Sequence, residues 1–227
     1  MKERILTVVL ALSALIGAAL AMGPSERGAL QDENSATFLD VVSIREAVAA
    51  MPKADLNESE RDGLLYMREE EKLARDAYWT FDDQYGLPVF GNIADAEETH
   101  MDSVKVLMDS YGLSDPILEA GKFSNADLQV LYDDLVAQGS SSEVEALRVG
   151  AIIEETDIQD LKERLAETDN EDITMVYEAL MRGSRNHLRA FVSNLERRGV
   201  DYTPQVLSQQ EYDEIINGSI ERGPYQS

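Results

Sequence analysis

Cysteine is absent from all 227 residues. Disulfides, thiolate zinc sites, iron-sulfur clusters and a rubredoxin-type iron centre are therefore excluded, and any electron donor must be external. Positive charge is scarce: 20 Lys and Arg stand against 44 Asp and Glu, a formal net charge of -24. That excess repels nucleic acid and anionic membrane surfaces, which leaves cations as the natural guests. For most of these carboxylates the plain reading is a solvated face that keeps the protein soluble. Beyond the N-terminus no apolar run is long enough to cross a bilayer. Histidine is nearly absent as well, with only His100 and His187.

The remaining composition, 44% hydrophobic over 227 residues, suits one domain with attached segments. Met1-Lys2-Glu3-Arg4 precedes an uncharged stretch from Ile5 to Ala21 that ends in Ala19-Leu20-Ala21, a small-x-small cleavage signal. Residues 1–21 are expected to be a signal peptide, giving a secreted or cell-surface protein. The rival is a retained N-terminal anchor, the one membrane contact left open. Residues 22–54 read as a linker containing a short helix from Val42 to Met51, stopped by Pro52. Residues 55–200 form the body, and residues 201–227 a tail with a short helix near Gln209 to Ile216.

Periodicity divides the body into four long helices. Asn57 followed by Glu60 makes a capping pattern, after which Leu64, Met67, Glu71, Ala74, Tyr78 and Phe81 share a face over residues 58–85. Gly86-Leu87-Pro88 breaks this helix. The second carries Ile93, Glu97, His100, Val104, Leu107 and Met108 before Tyr111-Gly112. The third runs over 142–167 with Leu147, Gly150, Ala151, Glu154, Ile158 and Leu161 inward. The fourth runs over 171–198 with Ile173, Val176, Tyr177, Leu180, Ser184, His187, Phe191 and Leu195 inward. Short turns make each pair antiparallel. Residues 113–142, with a short helix from Asn125 to Ala137, form a long crossover between the second and third helices. The expected fold is all-α, a ferritin-like four-helix bundle.

Each long helix places an ionisable group on its apolar face: Glu71, then Glu97 with His100, then Glu154 with Asp157, then His187. Glu97 and His100 are three residues apart, so both lie on one helix face. Burying an unpaired carboxylate costs several kcal/mol, and a shared cation would offset it. Carboxylate oxygen with imidazole nitrogen and no thiolate suits iron first, manganese second and zinc third. Bridging carboxylates favour two ions. Tyr78 lies two turns from Glu71 on the same face, where its hydroxyl would hold a ligand or relay an electron, and plain core packing is an equal reading. Glu69, Glu70 and Glu98 read as ordinary solvated residues.

Four segments carry a family resemblance: Tyr66-Met67-Arg68-Glu69-Glu70-Glu71-Lys72-Leu73-Ala74-Arg75-Asp76, Gly86-Leu87-Pro88-Val89-Phe90-Gly91-Asn92-Ile93, Glu97-Glu98-Thr99-His100-Met101, and Gly183-Ser184-Arg185-Asn186-His187-Leu188-Arg189-Ala190-Phe191. They closely resemble the prokaryotic DUF2202 proteins of the ferritin-like superfamily, distantly similar to rubrerythrin and bacterioferritin. The resemblance covers about residues 55–200. It implies a di-iron site with Glu71, Glu97, His100, Glu154 and His187 at ligand positions and Asp157 at an extra carboxylate position. One departure stands out: Ser184 occupies the place, three before His187, where the superfamily pattern has a bridging Glu. Glu154, Glu155 and Asp157 are all candidates to compensate.

Two functions remain in view. One is an exported di-iron or di-manganese protein reacting with dioxygen or peroxide, ferroxidase-like or peroxidase-like, and served by an external electron donor. The other is a non-catalytic extracellular module in which a metal ties the helices together. Oligomeric state is open.

Overall fold

The computed structural model describes residues 36–224. The expected signal segment and most of the expected linker lie outside the described residues. Seven helices make up the described part, and no strand occurs among those residues: α1 Val41–Ala50, α2 Glu58–Tyr85, α3 Pro88–Ser110, α4 Ala126–Gly139, α5 Glu143–Leu165, α6 Glu171–Arg197 and α7 Gln209–Asn217. The fold is all-α, and no described helix is long and apolar enough to cross a membrane.

Local chemistry sets the helix ends. Asn57 and Glu60 close a reciprocal capping box on α2, satisfying amide donors that the first turn leaves without partners. Gly86 ends α2 at φ 64°, a left-handed conformation that any side chain would strain. Pro88 then opens α3, where its missing N–H costs nothing. Ser142 caps α5 by accepting from the Glu145 amide, and Ser208 with Glu211 closes a second capping box on α7.

The four long helices pack as a helical bundle. The most extensive contacts are α2 on α3 and α5 on α6, with α2 also meeting α5 and α3 meeting α6. Inside one end, Tyr78, Phe81, Phe90 and Phe191 form an aromatic cluster with ring centroids 5.1 to 6.5 Å apart. Each fully buried ring or aliphatic side chain contributes about 1.5–3 kcal/mol of hydrophobic stabilisation.

Two buried charges fasten the outer segments. Lys72, fully enclosed, pairs with Asp76 and donates to the carbonyls of Glu119 and Lys122 at 3.0 and 3.1 Å, holding the crossover onto α2. Glu155 accepts from the Tyr202 hydroxyl and from the amides of Gln205, Val206 and Leu207, holding the tail onto α5. A third segment, residues 36–40, lies over α3 and α6: the Leu39 amide donates to Thr99 Oγ1 at 2.9 Å, and Asn186 Nδ2 donates to Thr37 Oγ1 at 2.8 Å.

Candidate metal centre

Glu97 stands at the middle of the bundle and faces both histidines. Its Oε2 lies 2.7 Å from His100 Nδ1, and its Oε1 lies 2.9 Å from His187 Nδ1. Glu71 Oε2 flanks His100 Nδ1 at 3.3 Å, and Glu154 Oε2 flanks His187 Nδ1 at 3.6 Å. Each imidazole nitrogen is thus met by two carboxylates, one of them shared. The two rings stack with centroids 5.3 Å apart. None of these five residues is more than 2% exposed.

Helical spacing explains the convergence. Glu97 and His100 share a face of α3, and Glu71, Glu154 and His187 project from the middles of α2, α5 and α6. Gly183 makes the close approach of α6 possible, because a Cβ at that position would sit 2.5 Å from His100 Nε2. A glycine inside a helix costs about 1 kcal/mol relative to alanine, so its place here answers a packing demand. Tyr78, fully buried, donates its hydroxyl to Glu154 Oε1 at 2.6 Å and thereby fixes that carboxylate.

Asp157 lies one turn beyond Glu154. Its Oδ2 accepts a short hydrogen bond from Ser184, the residue standing where the second bridging Glu was expected. Of the three candidates to compensate, Asp157 is therefore the one the structure sets against Ser184. Glu155 points to the opposite side of α5 and is occupied by the tail.

The electrostatics follow from burial. Desolvation raises Glu71 to about 8, even though His100 pulls it down. It raises Glu154 to about 7, with Glu97 adding to the rise. Desolvation opposes charge on Glu97 too, but His100 and His187 outweigh it and hold that carboxyl below the usual range. Burial disfavours a charged His187, yet Glu97 and Glu154 raise it to about 9. On the far side of that ring, Nε2 accepts the Thr37 amide at 3.1 Å, which requires a bare nitrogen there and so opposes the protonation that the two carboxylates favour, keeping the ring neutral.

Several orphaned atoms face this region. Glu97 Oε2 and His187 Nδ1 lie at ion-pair distance from their neighbours yet make no hydrogen bond, and Glu71 Oε1 and Asp157 Oδ1 have no partner among the described residues. Buried polar atoms in that condition cost about 1–3 kcal/mol each. A divalent cation fits the donor set, since it takes carboxylate oxygens and imidazole nitrogens together and needs no N–H···O angle. Glu97, His100 and His187 form a buried group that could hold a metal ion.

The domain described as Uncharacterized protein domain (DUF2202) matches residues 60–219. The chain belongs to the DUF2202 family. This DUF2202 chain is 52% identical over 180 residues to Uncharacterized protein MJ0754 of Methanocaldococcus jannaschii, covering 78% of this chain and 97% of that protein. The crystal structure of hypothetical protein MJ0754 from Methanococcus jannaschii is similar to it with a TM-score of 0.74, covering 76% of this chain and 99% of that one.

The DUF2202 structure brings together Glu71, Glu97, His100, Glu154 and His187, sets Tyr78 on Glu154, and leaves Asp157 beside Ser184 without a histidine contact. Two expectations are corrected. Glu69 and Glu70 are not solvated, each being only 4% exposed. Glu69 accepts from the amides of Ser124 and Asn125 at the start of α4, so the crossover that covers α2 is what buries it. Glu98 does reach the surface, where it pairs with Arg75 at 3.0 Å. Sequence reasoning missed the Thr37 amide, which has no side-chain signature, and Gly183, whose only trace was a glycine inside a helix.

Proposed function

We propose that this DUF2202 protein is an exported ferritin-like metalloprotein whose buried carboxylate-histidine centre holds two iron or manganese ions and reacts with dioxygen or peroxide. The observation carrying this reading is Glu97, spanning the two Nδ1 atoms at 2.7 and 2.9 Å, with Glu71 outside one and Glu154 outside the other. Ferritin-like centres take one Glu from each of two helices and a Glu-x-x-His pair from each of the other two. Glu71 and Glu154 match the single residues, and Glu97 with His100 matches one pair. His187 with Ser184 is the incomplete pair, and Asp157 supplies a carboxylate next to it.

Two ferrous ions, when bound, supply two electrons to peroxide or dioxygen. The chain's own residues prepare the place for that chemistry. Glu71, Glu97 and Glu154 offset cationic charge, and His100 and His187 fix the geometry. Tyr78 holds Glu154 in one orientation through its 2.6 Å hydrogen bond. Phe90 and Phe191, packed on Tyr78, keep water from that side. An external donor returns the electrons, because the chain has no cysteine to hold a second iron centre of the rubredoxin kind.

The test is elemental analysis of protein purified without chelator, beside the His100→Ala/His187→Ala double variant. About two iron or manganese ions per chain are expected, with none in the variant, on the two-metal pattern. One zinc in both proteins would overturn the reading. Rapid mixing of ferrous-loaded protein with peroxide should then oxidise iron faster than free ferrous ion does. Ser184 favours one other reading, a metal-stabilised extracellular module without turnover. A large metal-dependent rise in Tm with no acceleration of oxidation would select it.

A further inference from the structure

The centre described above is closed on most sides. The aromatic cluster of Tyr78, Phe81, Phe90 and Phe191 blocks one end. Residues 36–40 cover His187, with the Thr37 amide bound to its Nε2. The backbone of α6 at Gly183 abuts the edge of His100. A hydrated divalent cation cannot pass through apolar packing of this kind without shedding water that nothing there replaces.

One side differs. Along α5, Glu154, Asp157 and Asp160 follow one another at steps of three, each step advancing about 4.5 Å along the helix. Exposure increases in the same direction: Glu154 is 1% and Asp157 5% exposed, and Asp160 is partly exposed at the surface. Across from them on α2 stands Glu70, 4% exposed and immediately before the candidate ligand Glu71. Its charged neighbours are Asp160, Asp157 and Glu71, so it bridges the outer and inner members of the row. Asp157 in turn feels Glu71, Glu154 and Glu97. Glu70 Oε2 and Asp157 Oδ1 are both buried without a hydrogen-bond partner, and so is Asp160 Oδ2. Glu70 and Asp160 lie against each other where α2 faces α5, with the Tyr66 hydroxyl beside Asp160, so the acids of this row outnumber the donors around them. At the outer end the Arg164 guanidinium, its side chain 10% exposed, stacks over the Tyr66 ring at 5.5 Å and faces Asp160.

We propose that Asp160, Glu70 and Asp157 form a carboxylate path by which a divalent cation enters the centre between α2 and α5. Asp160 takes the cation from solvent, and Glu70 and Asp157 exchange oxygens for its water as it moves inward to Glu71. The path rests on the two-metal reading and adds its route of loading.

The experiment follows cobalt(II) binding to the full chain by its visible absorption in a stopped-flow instrument, for wild type, Glu70→Gln, Asp160→Asn and the double variant. An exposed acid changed in the same way, Asp169→Asn, controls for net charge, and Tm without metal controls for folding. A carboxylate row that concentrates cations should speed loading by about tenfold or more, so the double variant is expected to load about tenfold slower. Its final stoichiometry and spectrum should equal those of wild type. Loading at the wild-type rate overturns the path while leaving the centre intact. Loss of a bound cation in the double variant also overturns it, since the row would then be a resident site. Wild type that takes up no cobalt sinks the two-metal reading, and the path with it.

Discussion

Glu154 and Glu155 are consecutive residues, both buried, and their surroundings are opposite. Glu155 is saturated: one hydroxyl and three backbone amides converge on its two oxygens and fasten the tail. Glu154 has one hydroxyl donor, Tyr78, and otherwise faces His187 and Glu97. Glu69 and Glu71 repeat the contrast on α2, the first satisfied by the amides of Ser124 and Asn125, the second left with an orphaned Oε1. Burial of a carboxylate is therefore a poor guide to function in this protein. What separates the two groups is whether the protein itself supplies the donors.

Breaking the contrast directly gives the largest expected effect. Glu155→Ala leaves the amides of Val206 and Leu207 and the Tyr202 hydroxyl without their acceptor. Lost hydrogen bonds to a charged group put the cost at about 3 kcal/mol, and at this chain length that lowers Tm by roughly 10 °C. Metal content should not change. Glu154→Gln should do the reverse, leaving the metal-free Tm at or above wild type while removing at least one bound cation. Thermal melts and elemental analysis of the two variants check both arms. A Glu155→Ala protein that melts like wild type, or a Glu154→Gln protein with full metal content, would erase the distinction.

The same contrast shows what the sequence could reveal. The long helices were readable because their signals are local. The capping pair Asn57 and Glu60, the stop at Gly86-Leu87-Pro88 and the 3.6-residue recurrence of Leu64, Met67, Glu71 and Tyr78 place α2 at Glu58–Tyr85, and the expectation was 58–85. Glu71, Glu97, His100, Glu154 and His187 were readable because each lies on the apolar face of its helix. The fates of Glu69, Glu70 and Glu155 were not readable. Glu69 and Glu155 lie off those faces and are buried because the crossover and the tail fold back over α2 and α5, and Glu70 is buried where α2 faces Asp157 and Asp160 of α5; helical period says nothing of that cover. The Thr37 amide is harder still, since every residue but proline carries one.

Acidity sharpens the comparison through the orphaned members. Glu71 and Glu154 are raised to about 8 and about 7, above the ordinary 4.5. A carboxyl whose folded value is raised contributes stability that is complete below its unfolded value and is lost as pH rises through the folded one. Metal-free protein should therefore lose stability steadily as pH rises from about 4.5 to about 8. Cations bind the deprotonated carboxylates, so metal-loaded protein escapes that loss. The gap in Tm between manganese-loaded and metal-free protein is expected to widen across this interval. A gap that is constant or narrows with pH would show that these carboxylates are not the ones the cation discharges.

The smallest effect concerns the segment that covers His187. A neutral imidazole has one bare nitrogen, and the Thr37 amide bond at 3.1 Å assigns it to Nε2, leaving the proton on Nδ1 toward Glu97. A cation held by Nδ1 needs the lone pair on that side, which moves the proton to Nε2 and sets two N–H groups against each other. Loading should therefore loosen residues 36–40 while tightening the bundle around Glu97. Hydrogen exchange read residue by residue, with and without manganese, separates these signs: Thr37 and Leu39 are expected to exchange faster when metal is bound, and the amides of α3 and α6 slower. The shift at Thr37 should be about fivefold, the worth of one ordinary hydrogen bond. Slower exchange at Thr37 on loading would mean that His187 turns its ring rather than releasing the amide, and that its metal-facing nitrogen is Nε2.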